Sequence, residues 1–152
     1  MKIRTEIDPD SHGEIILRVP SLDEEAAALQ TKLIKLVSSA NEISVISGDR
    51  EIYLPTKDIL FFETFDSHVY AHTPKDCYKS DYKLYELEEL LPRLFVRASK
   101  STLINTSLIF SITRSLTGVA EAEFYGSKKK CPISRMYYHS VRDTIEETRL
   151  KK

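Results

Sequence analysis

Few side chains in this 152-residue sequence are placed to do covalent or metal chemistry. His68 and His72 are the nearest thing to a ligand pair. Both lie at or beside a run that alternates as a strand, where four residues span roughly 13 Å, too far for one zinc ion. Cys77 and Cys131 are far apart and belong to no CxxC pattern, so they are expected as two buried or half-buried thiols. There is no HExxH, no Gly-rich phosphate loop and no GxSxG turn, and no Ser, His and Asp are spaced as a triad. The sequence therefore predicts no enzyme, no cofactor, no metal and no small-molecule substrate.

Charge is more informative than reactivity. The formal net charge is only −1, but its distribution is uneven. Residues 1–42 carry five Lys/Arg against eight Asp/Glu, net −3. Residues 97–135 carry seven basic side chains (Arg97, Lys100, Arg114, Lys128, Lys129, Lys130 and Arg135) against Glu121 and Glu123, net +5. A locally basic stretch suits a polyanion. Lys and Arg neutralise phosphates, and an Arg can also donate two parallel hydrogen bonds to guanine O6 and N7.

The elements that must hold these residues are mostly strands. Ile43–Ser47, Glu51–Leu54, Ile59–Phe65, Val69–Thr73, Leu94–Ala98, Leu108–Thr113 and Val119–Tyr125 are rich in β-branched and aromatic residues. Turns are expected at Gly48-Asp49-Arg50, Pro74-Lys75-Asp76, Leu116-Thr117-Gly118 and Gly126–Lys130. The last of these puts the lysine run beside the Arg135 loop. Leu84, Leu87, Leu90 and Leu91 form one side of a short helix stopped by Pro92, and a final helix is expected from near Ser134 with Tyr138, Val141 and Ile145 on one face. Of the aromatic cluster Phe61, Phe62, Phe65, Tyr70 and Tyr78, most is expected in the core, with Phe61 and Phe65 on one face of a strand and Phe62 on the other. Asn105 is expected to cap a turn.

Upstream, Ile3 and Ile7, then Ile15, Leu17 and Val19, alternate as two short strands separated by Pro9-Asp10-Ser11-His12-Gly13. Ser21 with Glu24 reads as a capping box before a helix carrying Leu22, Leu29, Leu33 and Leu36 to about Ala40. The expected organisation is an acidic ββα extension over 1–42 and a mainly β domain with short helices over 43–150. No apolar run approaches the roughly 20 residues that cross a bilayer, and the start lacks a signal peptide's apolar core, so a cytoplasmic location is expected.

Three blocks in this order resemble the LytTR family: DILFFETFDSHVYAHT at 58–73, YKLYELEELLPRLFVRASKSTLIN at 82–105 and CPISRMYYHSV at 131–141. The resemblance covers about 105 residues. It implies stacked antiparallel sheets and a bacterial transcription regulator that binds double-stranded DNA by inserting loops into successive major grooves. Carried onto this sequence, base contacts fall on His68, Lys100 and Arg135. Phosphate contacts are expected from Ser101 and Ser99, and from Lys79, Lys83, Arg97, Arg114 and Lys128–Lys130.

The resemblance further implies a homodimer on two direct-repeat half-sites. Many members carry a receiver domain of about 120 residues, for which residues 1–42 are too short. A receiver-less regulator is therefore expected, with control exerted through the extension or through a small membrane protein of the kind that restrains similar stand-alone regulators. The competing reading is a protein-interaction adaptor or anti-activator on the same scaffold, favoured by the net charge of −1.

Overall fold

Adjacent apolar residues in the strand region cannot all face one side of a sheet, so runs such as Ile59-Leu60-Phe61-Phe62 require a sheet covered on both faces. The computed structural model, which describes residues 2, 4–10, 14–39 and 41–149, has that arrangement. The chain divides into two compact units, Met1–Lys35 and Leu36–Lys152.

Helix α1 (Glu24–Ser39), most of it in the first unit, forms as expected, but its cap differs. Asp23, not Ser21, accepts the Ala26 N–H on its side chain at 2.8 Å. The expected strands over 3–7 and 15–19 are absent among the described residues, where Ile7, Ile15 and Ile16 are exposed. An isolated two-stranded ribbon buries too little apolar surface to persist in water. Ile3, the Ser11-His12-Gly13 turn and Ala40 lie outside the described residues.

The second unit holds β1 (Glu42–Ser47), β2 (Arg50–Pro55), β3 (Phe61–Phe65), β4 (His68–His72), β5 (Cys77–Ser80), α2 (Leu84–Leu90), β6 (Phe95–Ser99), β7 (Thr102–Asn105), β8 (Ile109–Arg114), β9 (Ala120–Phe124), β10 (Lys130–Ile133) and α3 (Tyr138–Arg149). Seven strands form one antiparallel sheet in the order β2-β1-β5-β4-β3-β7-β6, and three form a second, β10-β9-β8. One face of the large sheet packs Phe62, Val69, Ala71, Phe95 and Leu103 with Leu84 and Leu87 of α2. The other packs Leu60, Phe61, Ala98 and Ile104 with the small sheet and with Tyr138 and Val141 of α3. Consecutive residues thus feed two cores. Each fully buried Leu, Ile or Phe contributes roughly 1.5–3 kcal/mol relative to exposure.

Three strands lie where the sequence reading has turns or no element. β7 follows β6 after two residues and is central, between β3 and β6; β5 joins β4 to β1; β10 begins inside the expected Gly126–Lys130 turn. Pro132 is tolerated in β10 because that strand is an edge of the small sheet. The final helix starts at Tyr138, after a turn in which the Tyr137 N–H donates to the Ser134 carbonyl.

Candidate nucleic-acid interface

Strand direction decides which connections share an end of the molecule. β3 and β4 meet in a two-residue turn, Asp66-Ser67, with φ of 50° and 64°, the left-handed pair that matches the twist of a tight hairpin. β7 starts beside it, Thr102 pairing with Glu63 and the Thr64 N–H donating to the Ser101 carbonyl at 2.8 Å. The Ser134 N–H donates to the Ala98 carbonyl at 2.8 Å, joining the segment before α3 to the end of β6. Ala120 is opposite both Arg114 and Ile133, which brings the 115–119 turn to the same place. Ser80 pairs with Val69, so Asp81 to Lys83 emerge there too.

This end therefore gathers His68, Lys83, Ser99, Lys100, Ser101, Arg114 and Arg135, with acidic Asp66 and Asp81 among them and two α2 carboxylates beside them, Glu86 accepting the Lys83 N–H at 2.9 Å and Glu88 on Arg97. His68, Lys83, Lys100, Ser101, Arg114 and Arg135 are exposed. Ser99 and Ser101 face each other across the β6–β7 turn, with hydroxyl oxygens 3.3 Å apart and the Ser101 N–H donating to the Ser99 hydroxyl at 3.2 Å. A bulge at Ala98 precedes the turn, the device by which a strand re-aims the residues that follow. The Arg114 guanidinium carbon lies 4.5 Å from the Tyr138 ring centroid, a cation–π contact. The Arg135 guanidinium donates to the Thr117 carbonyl. Lys79 is exposed one pleat further in, opposite Tyr70.

Arg97 is occupied. Its Nε and Nη2 meet the Glu88 carboxylate at 2.8 and 3.0 Å, and its Nη1 donates to the Lys100 carbonyl at 2.7 Å. Its geometry is that of a brace between α2 and the Lys100 turn.

The lysine run lies elsewhere, which corrects its expected place beside Arg135. β10 separates them, Lys130 opposite Glu123 at one end and Ile133 opposite Ala120 at the other. At that far end the Ser127 hydroxyl donates to the Pro74 carbonyl at 2.9 Å and Lys129 Nζ to the Asp76 carbonyl at 2.5 Å. Lys130 faces Glu121 at 3.6 Å. Nearby, His72 Nε2 meets Glu63 at 2.7 Å, and its ring stacks on Phe61 at 4.3 Å. Burial, reinforced by Lys129, holds the His72 pKa below its ordinary 6.5 against the opposing pull of Glu63.

Of the cysteines, Cys131 is buried as expected, its thiol pushed up to about 12 by that burial, whereas Cys77 is exposed. Asn105 is structural. It is buried, donates to the Ile59 carbonyl at 2.9 Å and accepts from the Ser107 N–H at 3.1 Å and hydroxyl at 2.6 Å. The sequence reading missed Glu88, which only its contact with Arg97 reveals. Met136 was not singled out; it is exposed together with Leu116, named only as a turn residue, and with Phe65, the last residue of β3, which shares a strand face with buried Phe61, and at the basic end such groups could meet thymine methyls.

Two stacked antiparallel sheets that bring polar and basic connections to one end define a loop-presenting β module. The chain belongs to the LytTr DNA-binding domain family, whose model matches residues 49–146. Among solved structures, the LytTr DNA-binding domain of a Bacillus cereus protein shares the fold with a TM-score of 0.64 at 22% identity, covering 69% of this chain and 96% of that one. An uncharacterized HTH-type transcriptional regulator of Staphylococcus aureus strain NCTC 8325 is 24% identical over 137 residues, 90% of this chain and 91% of its own. Its counterpart in strain MRSA252 is 28% identical over 97 residues, 63% of this chain and 65% of that protein. Despite the name those relatives carry, no two helices follow one another here among the described residues. The longer match also takes in most of residues 1–42.

Proposed function

We propose that this protein binds duplex DNA sequence-specifically as a bacterial transcription regulator, acting in the cytoplasm and reading successive major grooves with loops. His68, Lys100 and Arg135 read bases; Ser99, Ser101, Lys79, Lys83 and Arg114 hold phosphates. The single observation that carries this reading is the gathering of these connections at one end of the stacked sheets. Arg97 shapes the Lys100 turn rather than touching phosphate, and Lys128–Lys130 lie outside the interface. Two protomers on direct-repeat half-sites double the readout, and a small membrane protein is the candidate restraint.

A duplex selected from a random pool and an unselected duplex, titrated by fluorescence anisotropy at two salt concentrations, test this. Selected DNA is expected to bind more tightly, with affinity falling as salt rises. Arg135→Ala is expected to cost about 1–3 kcal/mol on the selected duplex and little on the other. Equal losses on both would sink the base-reading role. Absence of any salt-dependent binding would favour a protein-interaction adaptor instead.

A further inference from the structure

The β8–β9 turn is tight. The Gly118 N–H donates to the Ser115 carbonyl at 3.1 Å, the Ser115 N–H donates to the Val119 carbonyl at 3.0 Å, and Gly118 takes a φ of +87°. That torsion alone favours glycine. A second constraint is independent of it. A Cβ built on Gly118 would fall 2.5 Å from Arg135 Nε and 2.7 Å from Nη2, closer than such atoms approach, and 3.0 Å from Cζ. The guanidinium therefore occupies the space that a side chain at 118 would take, and it is held there by its bond to the Thr117 carbonyl.

An exposed arginine samples many rotamers, and binding DNA through it means ordering it. A guanidinium already seated on a turn is ordered in advance, and the one N–H given to Thr117 leaves others for the bidentate pair that guanine O6 and N7 require. We infer that Gly118 is the positioning residue for Arg135: the bare backbone at the β8–β9 turn is the seat that aims the arginine at its base. This rests on the reading of Arg135 as a base contact. The atoms a Cβ would strike belong to the far end of a flexible side chain, so they can swing away at little cost to packing. Loss of aim is the main consequence.

The test uses Gly118→Ala, Arg135→Ala and the double variant in the full chain. Gly48→Ala is the control, because Gly48 also has a positive φ, +61°, but a Cβ there meets nothing within 4 Å. Affinities for the selected and unselected duplexes are measured with a melting curve for each variant. Gly118→Ala is expected to lower the selected-to-unselected affinity ratio by about fivefold or more, leaving unselected binding unchanged because no charge is lost. In the Arg135→Ala background it is expected to change that ratio no further, and Gly48→Ala should match wild type. If Gly118→Ala does not fold, Gly118→Asn places the same Cβ on a residue that tolerates positive φ.

The outcomes separate cleanly. An Arg135→Ala protein with an unaltered ratio overturns the base-reading role and this inference with it. A ratio lowered by Arg135→Ala but not by a folded Gly118 variant overturns the inference alone. So does a Gly118 effect that persists undiminished without Arg135.

Discussion

Glu88 grips the Arg97 guanidinium through both carboxylate oxygens, Oε1 to Nε at 2.8 Å and Oε2 to Nη2 at 3.0 Å. A fork-to-fork pair of this kind fixes the plane of the arginine, and the remaining nitrogen then holds the Lys100 carbonyl. Helix α2 is thereby tied to the β6–β7 turn. Glu88→Ala gives a prediction whose sign decides between two effects. Electrostatics alone would tighten binding to every duplex when a carboxylate is removed. Loss of the brace would weaken binding to the selected duplex specifically, which is the expected result, with Glu88→Gln closer to wild type. The stability cost should stay near 0.5–1 kcal/mol, about what partly exposed pairs contribute. Tighter binding to both duplexes with an unchanged ratio would rule the brace out.

Lysine position gives a second prediction. Replacing Lys128, Lys129 and Lys130 with alanine is expected to change the slope of log affinity against log salt by less than about one, since each lost phosphate contact is worth ~0.9. Replacing Lys79, Lys83 and Arg114, the basic phosphate contacts, is expected to flatten it by roughly 2–3. The reverse ranking would move the interface to the other end of the sheets. Melting curves accompany the first set, because Lys129 also holds the Asp76 carbonyl.

His72 links stability to pH. Its folded pKa lies below the ordinary 6.5, chiefly through burial, so the unfolded chain takes up the proton more readily. The contribution is complete above a pH of about 6.5 and declines as pH falls through that value toward the lower folded one. The urea midpoint should therefore be lower at pH 5.5 than at pH 7.5, and His72→Gln should shrink that difference. An undiminished difference in the variant would assign the acid sensitivity to another group.

Asn105→Ala should destabilise the domain by about 1–3 kcal/mol, because the buried Ile59 carbonyl and the part-buried Ser107 N–H lose their partner. At a temperature where the variant remains folded, its selected-to-unselected DNA ratio should equal that of wild type. A changed ratio would make Asn105 part of the readout rather than a turn cap.

Where local pattern and burial agreed, the sequence was readable. Ile43–Ser47 and Phe61–Phe65 form strands because alternating or continuous apolar runs have few other ways to bury themselves, and Leu84 and Leu87 place α2 for the same reason. β5, β7 and β10 escaped because each has only four residues, too short for a periodic signal, and owes its strand form to neighbours already in the sheet. The converse error was at the N-terminus, where the alternation of Ile15, Leu17 and Val19 met no ladder among the described residues.

The candidate residues His68, Lys100 and Arg135 were legible one by one, through motif blocks and residue type. Their joint placement was not. Near neighbours along the chain told little about position, since Lys130 begins a four-residue strand and Arg135 follows its end, so that they lie toward opposite ends of the small sheet. Sequence alone determined the family, the two-faced apolar runs and the basic bias of 97–135. Tertiary structure decided which basic groups share an end, that Arg97 is spent on Glu88, and that Arg135 rests on Gly118. Those outcomes depend on strand direction and long-range pairing, which local composition does not encode.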